Sequence, residues 1–229
     1  WRKNTDQNDN IGNAFVQLEL SPATSVQAEY RYRNFTHGDI RLRFFPDDVF
    51  PDETNRTETQ TARFGVRHAF SSDSVLLSSL IYQDAQFRVR ENVIPQSRIF
   101  RFTDAKRPET SFSSEFQHLL KSTYFNLTSG VGYAQSDGKV DITTGTIFPP
   151  PRNIIILPSS STDLKHTNVY AYSYINILKN VTFTLGASGD FATGDSAEFK
   201  DKRQFNPKFG ITWNPLPSTT LRTAIFRVL

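Results

Sequence analysis

"VQAEYRYRNFTHGDIRLRF", residues 26–44, carries every one of its charges on a single parity. Val26, Ala28, Tyr30, Tyr32, Asn34, Thr36, Gly38, Ile40, Leu42 and Phe44 are uncharged, whereas Glu29, Arg31, Arg33, Asp39, Arg41 and Arg43 all fall on odd positions. Successive side chains of a β-strand point to opposite faces, so this stretch has one dry face and one rich in arginine. The same period recurs along the chain. Ala62, Phe64, Val66, His68 and Phe70 share a parity, as do Val75, Leu77, Ser79, Ile81, Ala85, Phe87 and Val89, which stand against Asp84, Arg88 and Arg90. Phe125, Leu127, Val131 and Tyr133 follow, then Tyr170, Tyr172 and Tyr174, then Val181, Phe183, Leu185 and Ala187, then Phe205, Phe209, Ile211 and Trp213. The last stretch, "TLRTAIFRVL", alternates less cleanly.

The connections between these runs are of two kinds, and they take turns. "SPATS" at 21, "SSDS" at 71, "LLKS" at 119, "ILKN" at 177 and "PLPST" at 215 are compact hairpin links. Long polar stretches separate them: residues 46–57, 91–109, 136–153 and 193–203. This pattern predicts about ten antiparallel strands, with short turns at one rim and long loops at the other. Propeller blades repeat at about 40 to 50 residues, but their strands are short and four to a blade, unlike the long paired runs here.

Composition narrows the setting. The chain has 229 residues, 37% hydrophobic, and its 20 phenylalanines sit in a sequence whose mean hydropathy is −0.45. Strongly apolar side chains set among many polar ones are what alternation produces. There is no cysteine, which excludes disulfides and thiolate metal sites. No apolar run approaches the roughly 18 residues of a spanning helix; the longest is "IIIL" at 154–157. A net charge of +3, dispersed along the chain, argues against a nucleic-acid partner. No methionine occurs, even at position 1, so residues 1–229 are expected to be a single segment of a longer polypeptide.

Alternation alone fits either a soluble β-sandwich or a transmembrane barrel, and three features favour the barrel. Strands that cross a bilayer obliquely need about 9 to 11 residues, and most runs here reach that, whereas sandwich strands average about 5 or 6. Short turns and long loops alternate as they do when one rim faces the periplasm and the other the exterior. Aromatic residues flank the short turns, as an interfacial girdle would: Phe70, Tyr124, Phe125, Tyr174 and Trp213. The uncharged parity then faces hydrocarbon and the charged parity a wet lumen. Six arginines, Arg31, Arg33, Arg63, Arg67, Arg88 and Arg90, are the candidate solute contacts in that lumen, with Arg41 and Arg43 on the same parity. The competing reading makes interior arginines structural partners of Glu29, Asp39 and Asp84.

"NVYAYSYINILKNVTFTLGASGDF", residues 168–191, followed by "FNPKFGITWNPLPSTTLRTAIFR", residues 205–227, resembles the barrel of TonB-dependent receptors. Thr184, Leu185, Gly186 and Asp190 match one strand motif of that family. Asn206, Pro207, Lys208, Gly210, Trp213 and Pro215 match a second, and Leu221 and Arg222 a third. Ala187-Ser188 departs from the usual arginine-containing pair, and Ile225-Phe226 stands where tyrosine-glycine is common. The resemblance implies a bacterial outer membrane, contact with its lipid, and uptake of a bulky solute such as a ferric siderophore. It also implies an energy-coupling inner-membrane complex acting through a plug domain outside this sequence, and no cofactor. Family barrels have about 22 strands, so about ten make only part of one. A plugless porin-like or export barrel, and a soluble β-sandwich or propeller binding domain, are the alternatives.

No enzymatic constellation is legible: there is no nucleophile elbow, P-loop or dinucleotide fingerprint. His37, His68, His118 and His166 are too far apart for a ligand motif; His68 and His118 suit an interfacial ring. Asp47, Asp48, Asp52 and Glu53 lack the glycine and spacing of a calcium loop and read as a solvated exterior loop. Neither a catalytic nor a metal site is expected.

Overall fold

The computed structural model describes residues 3–40, 50, 52–93, 100–148, 153–195 and 200–228. Arg41, Arg43, Asp47 and Asp48 lie outside the described residues. Within them the chain forms one antiparallel sheet of eleven strands. These are β1 (Gln7–Ser21), β2 (Thr24–His37), β3 (Thr54–Ser71), β4 (Ser74–Val93), β5 (Phe100–Lys121), β6 (Phe125–Phe148), β7 (Asn153–Ile156), β8 (Ser160–Leu178), β9 (Val181–Gly194), β10 (Lys202–Leu216) and β11 (Thr219–Phe226). Each strand lies beside its sequence neighbour, except that the short β7 pairs only with β6 and leaves β8 to continue the sheet. The five short turns follow β1, β3, β5, β8 and β10, and so share one rim. β1 and β11 are paired on one side only, and the sheet is open.

Two of the four expected long loops are mostly strand. β5 has 22 residues and β6 has 24, so at 3.3 to 3.4 Å per residue β6 runs about 80 Å. Residues 100–109 and 136–148, read from sequence as loop because they are polar, pair residue by residue across β4, β5 and β6. A strand wetted on both faces has no need of an apolar parity; the backbone ladder suffices. Apart from a register shift between Phe100 and Arg101, the β5–β6 ladder skips only Arg107 and Pro108, where proline has no N–H to donate.

Register assigns every side chain to one of two faces, because paired residues point the same way. One face joins Val26, Val66, Ser78, Phe116, Val131, Val169, Gly189 and Phe205 in a single row. The other joins Arg31, Thr61, Gln83 and Ser111, and further along Tyr170, Ser188 and Asn206. The faces differ in shielding, in the sense opposite to a soluble protein. Asn206 is 2% exposed and Asp190 9%, whereas Phe64 is 45% exposed and Phe209 41%. A single sheet without a second layer shields one face only by curling, so that side chains on the concave side converge. The polar parity is therefore concave and the apolar parity convex, as in a barrel wall. A sandwich with phenylalanines packed between two sheets is not what forms.

On the convex face an uncharged band runs from Phe70 to Ala62 in β3, Leu76 to Tyr82 in β4, Leu120 to Phe112 in β5, and Trp213 to Phe205 in β10. The first charges beyond it are Glu58, Asp84, Lys106 and Arg203. The band is about the height of a bilayer's hydrocarbon core, since tilted strands cross in about 9 to 11 residues.

Candidate functional site

The concave face is where a solute can meet converging polar groups, and register decides which residues reach it. Arg31, Arg33, Arg63 and Arg67 do. Arg88 and Arg90 do not. Arg88 pairs with Arg56 and Lys106 on the face that carries Phe64 and Tyr82, and it stands six residues past Tyr82, above the apolar band. Correspondingly, Phe87 and Val89 point to the concave side, with Ile81 and Leu77. The six arginines thus divide into four on the inner wall and two outside it. Asp84 moves to the convex face with Arg88, and Tyr174 leaves the expected girdle for the concave face, opposite Asn126 and Thr184.

Among the four inner arginines the ion pairing is uneven. Arg33 holds Asp9 with two hydrogen bonds of 2.9 and 2.8 Å. Arg63 donates to Glu29 at 3.1 Å, the structural pairing the sequence suggested. Arg31 and Arg67 make no ion pair among the described residues. Arg67 lines a groove of about 400 Å³ with Gln17, Gln27, Ser79, Glu115 and Gln117. Outside the wall, Asp104 takes bonds of 2.9 and 2.5 Å from Arg88 and 3.3 Å from Arg90. Those bonds, Arg88 first, hold the Asp104 carboxyl below its ordinary range.

A second concave cluster was not apparent in the sequence. Tyr170 donates to Glu115 and accepts from Gln117 Nε2 at 2.9 Å. Its ring stacks on Tyr172 at 5.5 Å between centroids, and the Lys208 ammonium lies 4.6 Å from the Tyr172 ring. One strand further, Asp190 gathers Asn206 Nδ2 at 2.5 Å, Ser188 Oγ at 3.2 Å and His166 Nε2 at 3.0 Å. Glycines make room for this layer. A Cβ at Gly130 would meet the Tyr170 hydroxyl at 2.6 Å, and one at Gly132 or Gly186 would collide with Asn168 or Tyr172. Tyrosine counted as apolar disguised the parity; glycines directly opposite tyrosines were the available signal.

His68 and His118 occupy the convex face beside the short turns, hydrogen-bonded to Thr24 Oγ1 at 2.8 Å and Ser74 Oγ at 2.9 Å. They fit an interfacial ring.

A wall with an exposed apolar band outside and shielded polar groups inside is matched by one family model, that of the TonB dependent receptor-like β-barrel, over residues 1–228. The chain belongs to that family. Barrels of this family are outer-membrane proteins of Gram-negative bacteria. No curated protein matches this chain by sequence. Among solved structures it is similar to the siderophore receptor PiuA from Acinetobacter baumannii, with a TM-score of 0.73 and 11% identity over 96% of this chain and 42% of that one. It is similar to the copper transporter OprC, TM-score 0.76 and 9% identity over 97% and 37%. The ferric citrate transporter FecA, unliganded, gives a TM-score of 0.70 at 11% identity over 97% and 36%. At such identities the likeness is one of fold. The chain spans less than half the length of each, and its eleven strands form a sheet that is open at β1 and β11.

Proposed function

We propose that this sector is part of an outer-membrane receptor that takes up a bulky, scarce anionic solute such as a ferric siderophore. Its import would be driven by an inner-membrane complex through a plug domain. One observation carries the reading: Arg31, Arg63 and Arg67 stand on the same concave face as the shielded Tyr170–Asp190 layer, and two of them lack an acidic partner among the described residues. A confined cleft lined by one sign of charge focuses its field on an incoming ion. Glu29 offsets part of that field at Arg63.

Replacing Arg63 and Arg67 together by glutamine in the full-length protein tests it. A charge about 4 Å from its partner contributes roughly 1 kcal/mol in water, so binding of ferric citrate should weaken about 10- to 30-fold at low salt. Near 1 M salt the Debye length falls to about 3 Å and the difference should shrink. Unchanged binding at low salt would reduce these arginines to wall-stiffening partners of nearby acids.

A further inference from the structure

Beyond the membrane the sheet has a step. β7 and β8 form one run antiparallel to β6, interrupted at Pro158 and Ser159: Ile156 lies opposite Thr143 and Ser160 opposite Val140, four steps against three, a β-bulge. β9 climbs only as far as Leu164 of β8, with Asp195 N reaching Asp163 O at 3.2 Å. The edge from Asn153 to Thr162 therefore has no strand beside it among the described residues. Natural sheets blunt such edges with charge, proline or a bulge. The lower half, Pro158–Thr162, has the proline, the bulge and three serines. The upper half, Asn153–Leu157, has none of these, and Ile154, Ile155, Ile156 and Leu157 are 41 to 76% exposed. It begins eight residues past Gln135, which pairs with Phe112 at the top of the apolar band, about 27 Å further along the strand, so no lipid reaches it. Ile154 and Ile156 face outward beside Phe102, across Gly145, where a Cβ would lie 2.9 Å from the Phe102 ring. Leu157 N donates to Ile142 O at 3.0 Å. The alternation of antiparallel bonds then turns the N–H and C=O groups of Ile154 and Ile156 to the open side.

We propose that Asn153–Leu157 is a docking edge for a second, different polypeptide, an extended segment that adds to β7 as a strand and lays its own apolar side chains over Ile154, Ile156 and Phe102. Residues 195–201, which join β9 to β10, start seven residues lower on the sheet and are too few to climb to β7 and return. A second copy does not fit either. Copies in one membrane share an orientation, so a two-fold axis along its normal brings two β7 strands together running the same way, and parallel pairing of one edge with its own copy has no two-fold hydrogen-bond pattern. Five residues are also far fewer than the roughly 20 to 30 on each side of a standard interface, which suits a partner that docks and leaves. The proposal does not depend on which solute the barrel takes up.

The probe is a fluorescent, lysine-flanked peptide of alternating threonine and valine, titrated against the full-length protein in lipid nanodiscs. Folding is checked by heat-modifiable gel mobility, and amide exchange is followed across 153–157. The peptide should bind saturably and slow exchange there, and the same peptide methylated on its backbone nitrogens should bind at least about tenfold more weakly. Ile156→Pro removes an N–H from the open side and leaves the β6 ladder intact, as edge strands allow; it should weaken binding about three- to tenfold, whereas Ile156→Val should keep it. Ile154→Lys with Ile156→Lys should abolish it. No saturable binding, equal binding of the methylated peptide, or an Ile156→Pro variant equal to wild type would overturn the proposal. Slow exchange across 153–157 before any peptide is added would overturn it as well, because the rest of the chain or a second copy would already cover the edge.

Discussion

Replacing Phe209 by arginine puts a charge on the convex face near the middle of the apolar band. Phe209 pairs with Leu185 of β9 and Ile225 of β11, with Trp213 towards the short-turn rim and Arg203 towards the other end. An arginine at bilayer midplane on a lipid-facing strand costs about 2 to 4 kcal/mol, which lowers the folded-to-unfolded ratio about 30- to 700-fold. The neighbouring residue supplies the control. Lys208 points into the concave face, 3.5 Å from the Tyr172 hydroxyl and 4.6 Å from its ring. Lys208→Ala removes a contact of about 0.5 to 1 kcal/mol, a two- to fivefold effect. Urea-dependent folding of the full-length protein into lipid vesicles, followed by heat-modifiable mobility, separates the two. Equal costs, or Phe209→Arg within about threefold of wild type, would refute the assignment of faces.

Other consequences are as specific. In β4, Leu80→Arg should destabilise by about 2 kcal/mol or more while Ile81→Arg is tolerated, because Leu80 shares the face of Phe64 and Ile81 that of Arg63; the same folding assay reads both. Gly130→Ala should cost about 1 to 3 kcal/mol by displacing Tyr170 from Glu115 and Gln117. Gly210→Ala should be near neutral, since its nearest neighbours would lie at 3.4 Å. Asp104→Asn should cost less than about 1 kcal/mol, as befits an exposed ion pair, and should speed amide exchange at the upper end of β4 and β5. In the wild type the carboxyl of Asp104 is held below its ordinary value of 3.8. Its contribution is therefore complete above the ordinary carboxylate range and is lost as pH falls through the lowered value, an effect Asp104→Asn should abolish.

Strands and short turns were legible because burial, charge and turn chemistry agree along each run. Val26 to Tyr32 and Phe205 to Trp213 lie in the membrane band, where one face tolerates no charge, so alternation there reports the fold directly. Beyond the band that logic ends. β4 read backwards in sequence because its lower half, Val75 to Tyr82, is uncharged on both parities, so only the upper half, with Phe87 and Val89 against Arg88 and Arg90, alternated, and there the charged parity faces outward. Pattern records which residues share a face but not which medium the face meets; cross-strand register with β3 settles it. Residues 100–109 and 136–148 were mistaken for loops for a related reason: where water reaches both faces, a strand need not keep an apolar parity along its length. That the arginines of β2 and β3 share the inner face was legible from charge alone, whereas the Tyr170–Asp190 layer depends on contacts across strands far apart in sequence.

Residues 1–229 contain no cysteine, so in the full-length protein, with any cysteine elsewhere replaced, single cysteines can be placed along β4 from 75 to 91 and spin-labelled in lipid bilayers. Accessibility to oxygen, which partitions into hydrocarbon, is then compared with accessibility to a water-soluble nickel chelate. The account predicts oxygen exposure at 76, 78, 80 and 82, chelate exposure at 77, 79, 81 and 83, and chelate exposure on the outward parity from 84 upward. Lipid contact on the odd positions instead, or protection of one parity from both reagents as in a packed core, would contradict it.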